Sequence, residues 1–234
     1  MDDEDALLRA ICAHPDEDTP RLAFADWLSE RGGAVNTAWA NGIRAQVWLA
    51  NGSTDTAGAP QSRVFESAYG LEKLRERLGI ECAGADQWER GFPTRLVGNF
   101  SAVAGVWARL ADRVPCRVLH LSSVSDRAVA EFVTWPALDR LTELDLALWY
   151  DPVERGTFGE GALRCVAECP ALRGLKSLFM GPLRLTNTGA AAILNSPHLL
   201  RLQHLQLRRT YDSPNLTWYT ETRLRAGFGA DVVV

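Results

Sequence analysis

The sequence predicts an α/β fold in which a short unit of strand and helix is repeated, with an all-α segment ahead of the repeats. Two observations lead to this prediction. The pattern P-x-L-x-x-L-x-x-L-x-[L/M] occurs three times without a gap in the C-terminal half of the chain. Ahead of it, apolar residues recur at the three- and four-residue spacing that is typical of amphipathic helices.

The first 33 residues predict a helical hairpin. Apolar residues over about 5–14 form a helical stripe, and the segment Pro-Asp-Glu-Asp at 15–18 interrupts it. Thr19 is suited to cap a second helix, because Pro20 then occupies the first helical position, where its missing N–H costs nothing. Gly32-Gly33 end that helix, since glycine adopts the backbone conformation that follows a helix.

The stretch that follows continues mainly with helical patterns. Helices are expected at about 36–50, 62–78 and 101–113, and a short strand at 92–97. A segment rich in Gly, Ser, Thr and Ala at 51–60 predicts a loop. We therefore divide the chain into a helical module at 1–45, an α-rich connecting region at 46–114, and a repeat region with a C-terminal cap at 115–234.

In the repeat region the three full copies of the pattern begin at Pro136, Pro170 and Pro197, and a shorter version begins at Pro115. The full copies are 34 and 27 residues apart. The first interval exceeds the roughly 20–29 residues usual for leucine-rich repeats. We interpret the excess as a loop insertion at 149–158.

Each copy predicts a strand followed by a helix. In the second strand Leu144 and Leu146 point to the core, while Glu143 and Asp145 point away from it, because strand side chains alternate. A single unit cannot bury its apolar side alone, whereas stacked units do so jointly. We expect a short solenoid in which about four parallel strands line a concave face and the helices form the convex side.

The N-terminal segment resembles a known family. The run Ala-Asp-Trp-Leu-Ser-Glu-Arg-Gly at 25–32 is similar to the bacterial repeat-companion domain, and the resemblance covers about the first 45 residues. Arg90-Gly91-Phe92 and the segment 228–232 also look like features of that family. For Asp26 and Trp27 we favour local pairing and packing over direct contact with a partner.

The resemblance implies leucine-rich repeats of the ribonuclease-inhibitor-like type and a role as an interaction module, and it implies no enzymatic activity. Repeats of that family commonly place an asparagine three residues after the L-x-L pair, where it ties adjacent turns together. Here Trp149, Leu183 and Thr210 occupy those positions. The sequence therefore lacks this asparagine ladder, and we expect somewhat irregular repeats.

Composition narrows the class of protein. Of the 234 residues, 47% are hydrophobic and 23% charged, which is typical of a globular protein. The net charge of −4 gives no overall attraction for nucleic acid. No run approaches the roughly 18 apolar residues of a membrane span, and the start of the chain is acidic, unlike a secretory signal. With five scattered cysteines, which we take as reduced thiols, the expected location is the cytoplasm.

The outward strand positions and the loops beyond them are the predicted binding surface. Phe179 points away from the core in this register, and exposed aromatics are the preferred anchors of interfaces. Two other arrangements stay open, in which a loop or the C-terminal tail covers Phe179, or the rim loops seal against each other. We predict a non-enzymatic adaptor, inhibitor or regulatory subunit whose protein partner contacts Glu143, Asp145, Trp149, Tyr150, Phe179, Gln206, Arg208 and Tyr211.

The rival interpretation is an enzyme with an unrecognised polar site on the concave face or within 34–114. His120, Asp145 and Ser122 suggest a hydrolytic triad, although three polar residues on a solvated face are the more ordinary interpretation. Cys165 and Cys169 share the spacing of a helix face, but no further ligands complete a metal site. Without a phosphate loop or a complete ligand set, we expect no metal or nucleotide cofactor.

A third interpretation, nucleic-acid binding, ranks last because the chain is acidic overall. It would use the basic side chains of the C-terminal part, namely Arg201, Arg208, Arg209, Arg223 and Arg225.

Overall fold

A computed structural model describes residues 2–52, 68–80, 83–146, 159–211, 213–229 and 232. Within these residues the chain is an α/β protein with a six-stranded, mostly parallel sheet whose strands follow one another in chain order. No helix among them is long and apolar enough to cross a membrane. The chain divides into two compact units, Met1–Leu96 with Ala108–Cys116, and Val97–Trp107 with Arg117–Val234.

Strands and helices alternate regularly in the second half of the chain but not in the first. The first half contains α1 (Asp3–Ala13), α2 (Thr19–Arg31), α3 (Ala34–Ala50), α4 (Ala68–Leu78), β1 (Ala83–Glu89), β2 (Phe92–Asn99), α5 (Phe100–Ala104) and α6 (Trp107–Leu110). The second half contains β3 (Val118–Ser122), α7 (Asp126–Phe132), β4 (Glu143–Leu146), α8 (Glu160–Ala167), β5 (Ser177–Leu183), α9 (Asn187–Leu194), β6 (His204–Arg209) and α10 (Trp218–Phe228).

The first three helices agree with the sequence prediction within two residues. The cap of α2 was wrong by one position, because Asp18 is the N-cap and Thr19 already belongs to the helix. The helix predicted at 62–78 is described from Ala68 onward, and its first six residues lie outside the described part. The helix predicted at 101–113 is two short helices, Phe100–Ala104 and Trp107–Leu110, and Gly105 is the C-cap of the first.

Strand β1 was not predicted, whereas the strand expected at 92–97 is present and extends to Asn99. The β1 sequence Ala-Gly-Ala-Asp-Gln-Trp-Glu contains no β-branched residue, so its composition gave no strand signal. Its pairing comes from the two-residue turn that joins it to β2. Arg90 and Gly91 in that turn both have positive φ, +50° and +85°, the pattern of a type I′ hairpin.

Gly91 is also enclosed by α3. Its N–H donates to Gln46 Oε1 at 2.7 Å, and its carbonyl accepts from Trp39 Nε1 at 2.8 Å. A Cβ at this position would lie 2.9 Å from the Ile43 Cα and closer still to the Ile43 Cγ1. Both the conformation and the space therefore require glycine.

The aromatic core of the first unit lies beside this turn. Phe24, Trp39 and Phe92 are fully buried, with ring centroids 5.0–5.8 Å apart. Trp27 stacks on Phe24 at 5.6 Å, and the Arg31 guanidinium lies 4.7 Å from the Trp27 ring. The tryptophan of the family-like run thus packs within its own unit.

The aspartate of that run is also paired locally. Asp26 Oδ1 accepts a hydrogen bond from Arg44 Nη2 at 2.7 Å, and the same nitrogen donates to Ser29 Oγ at 3.0 Å. The pair links α2 to α3. For Asp26 and Trp27 alike, these contacts agree with the local interpretation that the sequence favoured.

In the second unit, four strands run parallel and in register. Leu119, Leu144, Leu178 and Leu205 stand opposite one another and are at most 5% exposed. We call these four side chains the leucine row. In β4 the exposure alternates residue by residue as the sequence predicted, with Leu144 and Leu146 buried and Glu143 and Asp145 partly exposed.

A repeated backbone contact sets this register. The carbonyl just before each strand accepts two hydrogen bonds of 2.8–3.1 Å from the next strand, given by its first residue and the residue ahead of it. The three accepting carbonyls belong to Arg117, Thr142 and Lys176. A shift of one strand by a single residue would break both bonds at its entry.

Within the second unit, side chains at the helix N-termini also connect each strand–helix pair to the next. The first residues of α7, α8 and α9 each accept a hydrogen bond from the residue that precedes the next helix. The pairs are Asp126 with Gly159 N at 2.7 Å, Glu160 with Thr186 Oγ1 at 3.0 Å, and Asn187 with Thr217 N at 2.8 Å. We call this set of contacts the helix-start ladder; it joins each strand–helix pair of the second unit to the next.

Leu178→Asp should unfold the second unit. The substitution removes a fully buried leucine and puts a carboxylate into the apolar core, which we expect to cost about 4 kcal/mol or more of unfolding free energy. Ser177→Asp is the matched control, because its side chain is partly exposed on the other side of the same strand, and its cost should stay within about 1 kcal/mol. Equal denaturation curves for the two variants would show that the register is wrong.

Gly91→Ala should destabilise the first unit by about 2–4 kcal/mol, because the methyl group adds a clash with Ile43 to an unfavourable φ. Gly33→Ala is the control: its φ is +87°, and a Cβ there meets nothing within 4 Å. That variant should lose only about 1 kcal/mol. Chemical denaturation measures both, and similar losses would contradict the close approach of the turn to α3.

Candidate functional site

The face of the sheet opposite the leucine row carries the outward side chains of β3–β6, and we call it the polar face. Its central row contains His120, Asp145, Phe179 and Gln206, which are register partners on successive strands. The neighbouring row contains Val118, Glu143, Ser177 and His204. Four strands about 4.8 Å apart make this surface about 14 Å wide across the strands.

His120 lies between two carboxylates of the adjacent strand. Its Nε2 is 2.7 Å from Glu143 Oε1, and its Nδ1 is 3.9 Å from Asp145 Oδ2. Only 8% of the His120 side chain is exposed, against 32% for Glu143 and 17% for Asp145. The imidazole therefore restrains Glu143 through a hydrogen bond and stands beside Asp145, and the two carboxylates form an acidic patch at β4.

The geometry does not assemble the hydrolytic triad that the sequence suggested. His120 and Asp145 are neighbours, as expected from adjacent strands. The Ser122 hydroxyl, however, donates to the backbone carbonyl of Gly98 at 3.4 Å. The side chain of Ser122 thus bonds to a neighbouring strand, while His120 Nε2 faces Glu143.

Phe179 occupies the centre of the polar face. Its neighbours in the row are Asp145 on one side and Gln206 on the other, and its own side chain is partly exposed. The adjacent Leu178 and Met180 are fully buried on the core side. An aromatic ring is thus held at the surface by a register that buries both of its chain neighbours.

The far side of the face is basic. His204 and Arg208 on β6 are exposed, and Gln206 between them is partly exposed. Beside Arg208 stands Gly181 of β5, where a Cβ would lie 2.8 Å from the Arg208 carbonyl oxygen. Because Gly181 has no side chain, nothing from β5 at that position covers Arg208.

The predicted contact residues fall into three groups. Glu143, Asp145, Phe179, Gln206 and Arg208 come together on the polar face. Tyr211 follows β6 and is fully exposed. Trp149 and Tyr150 lie outside the described residues.

His120 is the residue that the predicted contact set missed. The alternation of β3 gave the signal, because it placed His120 opposite Asp145. The sequence could not show the diagonal contact with Glu143, which depends on how the imidazole ring is turned.

A cleft of about 380 Å³ lies elsewhere, in the helix layer between α8 and α9. Its lining is mostly small residues, with Arg164 and Glu168 as its charged side chains. Among the described residues, no group of three or more His, Cys, Asp or Glu side chains is placed to hold a metal ion. The cleft shares no residue with the polar face.

The chain matches no protein-family model, no curated protein and no solved structure.

His120→Ala should destabilise the second unit by about 1–3 kcal/mol, because it removes a buried ring and leaves two neighbouring carboxylates without the group between them. His204→Ala is the matched control, since His204 is an exposed histidine in the neighbouring row. Its effect should stay within about 0.5 kcal/mol. Thermal and chemical denaturation of both variants test this, and equal stability would mean that the His120 contacts contribute nothing to the fold.

Proposed function

We propose that the chain is an N-terminal repeat-companion module followed by a short leucine-rich solenoid, and that it binds a protein partner through the polar face. One observation carries the proposal. A partly exposed phenylalanine lies at the centre of an in-register, four-stranded surface, with carboxylates on one side and basic groups on the other.

The shape and chemistry of this surface favour a macromolecule over a small ligand. Protein interfaces have an apolar centre and a polar surround, and a few aromatic or arginine side chains supply most of their binding energy. The polar face offers Phe179 as the apolar centre and Arg208 as an exposed arginine. A small-molecule site would instead enclose most of its ligand in a concave pocket.

The enzymatic alternative has less support. A polar group with catalytic potential exists in His120, which is flanked by Glu143 and Asp145. The hydroxyl nearest to it along the strand, that of Ser122, is directed to a backbone carbonyl. We therefore assign His120 a positioning role on the binding face, in which it restrains Glu143 and stands beside Asp145.

Site-specific photo-crosslinking in the native host tests the location of the interface. The photoreactive aromatic residue p-benzoylphenylalanine replaces Phe179 in one variant and Arg127, exposed on α7 in the helix layer, in the other. A protein captured at position 179 and absent at position 127 is identified by mass spectrometry, purified and tested for direct binding. A partner that crosslinks equally at both positions, or only at 127, would contradict the proposal.

Phe179→Ala should weaken binding of that purified partner by about 1–3 kcal/mol and leave the fold intact, because Phe179 is outside the core. Trp218→Ala is the control, since Trp218 is an aromatic side chain, 80% exposed, on α10. It should change the affinity little. Calorimetry gives the affinities and circular dichroism checks the fold; unchanged affinity in folded Phe179→Ala would place the interface elsewhere.

A further inference from the structure

The polar face carries its charges in a fixed order across the strands. The outward residues of β4 are Glu143 and Asp145, and β4 contains no basic residue. The outward residues of β6 are His204, Gln206 and Arg208, and β6 contains no acidic residue. Phe179 of β5 separates the two sides in the central row. The surface is therefore ordered acidic, apolar and basic.

On the acidic side of the polar face, a contact within the chain restrains Glu143 in the absence of a partner. The contact between His120 Nε2 and Glu143 Oε1, 2.7 Å long, restrains the glutamate, and the same ring stands against Asp145. Both carboxylates are still partly exposed, at 32% and 17% of their side chains. A cation that approaches β4 thus meets a glutamate whose side chain is already restrained, so less side-chain conformational entropy is lost when the two bind.

On the basic side of the polar face, Arg208 is exposed to an approaching partner. Within the part of the chain that the structure describes, it forms no ion pair. Its neighbour on β5 is Gly181, which presents no side chain beside it. An anionic group that approaches Arg208 from the Phe179 side therefore displaces no carboxylate of the described residues.

We propose that the partner is an extended protein segment that presents a basic, an apolar and an acidic side chain in that order over β4, β5 and β6. The inference rests on the proposed function and specifies the partner for the same face. Asp145 and Arg208 lie two strand spacings apart across the sheet, about 9.6 Å, and about 6.6 Å apart along it, because the residue of β6 in the row of Asp145 is Gln206. An extended segment covers the resulting distance of about 12 Å with residues i, i+2 and i+4, whose side chains point to the same face. The apolar side chain stacks on Phe179, and each charged side chain faces a group of opposite sign.

The order of charges lets this surface distinguish between segments of different charge, which the apolar contact with Phe179 alone cannot do. A uniformly acidic segment meets Glu143 and Asp145 with like charge, and a uniformly basic one meets Arg208 with like charge. Like charges across an interface suppress wrong partners, while complementary ones fix the register of the right one. Only a segment that carries both signs satisfies both sides.

A displayed library of random linear peptides, selected on the full chain, tests the inference without knowledge of the natural partner. Enriched peptides that lose binding to Phe179→Ala define the set bound at the polar face. We expect this set to contain a basic and an acidic residue about four positions apart, with an apolar residue midway between them, because side chains two positions apart share one face of an extended segment.

Synthetic copies of these peptides are then measured on charge variants of the protein. Arg208→Glu should weaken them about five- to tenfold, and a peptide whose acidic residue is replaced by lysine should recover the loss on that variant alone. Asp145→Asn should weaken binding about as much and should make the basic residue of the peptide dispensable. Arg127→Glu, the same charge change on α7, should leave binding unchanged.

The outcomes separate the inference from the proposed function. Peptides that need Phe179 but respond to neither Arg208→Glu nor Asp145→Asn would refute the charge order and leave binding through the polar face intact. A selection that yields no Phe179-dependent peptide overturns the inference, and a partner crosslinked at position 179 would still support the function. Failure of the crosslinking as well would count against both.

Discussion

The structure of the second unit depends on one constraint, the parallel register that aligns the leucine row. Side chains in a strand alternate with a period of two, so a slip of one residue exchanges the two faces of that strand. In β4 such a slip would bring Glu143 and Asp145 into the core and expose Leu144 and Leu146. The cost of burying two carboxylates is far larger than the cost of breaking a few backbone hydrogen bonds. The leucines and the charges therefore select the same register, and the paired hydrogen bonds at each strand entry reinforce it.

The sequence predicted the structure where the spacing of apolar residues along the chain matches the positions that the core must bury. The L-x-L pairs predicted the buried rows, because alternation and burial act on the same residues. Strand β1 was missed because its residues have little strand preference, and its pairing comes from a turn whose conformation depends on Gly91 and on the neighbouring α3. Arg90 gave no turn signal either, since a non-glycine residue at φ +50° is uncommon. Contacts of this kind join residues far apart in the chain, so no local pattern reveals them.

The candidate site was predictable to a similar degree. Alternation placed Glu143, Asp145, Phe179, Gln206 and Arg208 on one face, and the register then put Asp145, Phe179 and Gln206 in one row. The orientation of His120 was not predictable, because a ring on one strand can face either of two residues on the next. The helix-start ladder was missed for another reason. Its three acceptors are residues of different types, Asp126, Glu160 and Asn187, so they form no recognisable sequence repeat. Each of them nevertheless accepts a hydrogen bond from the residue that precedes the next helix.

Parallel sheets are normally covered on both faces, because their strands are apolar on both sides. Strands β4–β6 differ from that norm, since one side is leucine or methionine throughout and the other mixes carboxylates, an aromatic ring and basic groups. The leucine side supplies the buried rows of these strands, so folding favours polar residues on the other side but does not require an aromatic ring there. Lysine, serine or threonine at position 179 would keep the register and avoid exposing an aromatic ring to water. The partly exposed Phe179 lies between two carboxylates and an exposed arginine, an arrangement that the register permits but that burial of the leucine row does not require. In the proposed function, the ring at position 179 is the apolar contact that a partner covers, and the charges on either side of it fix the orientation of that partner.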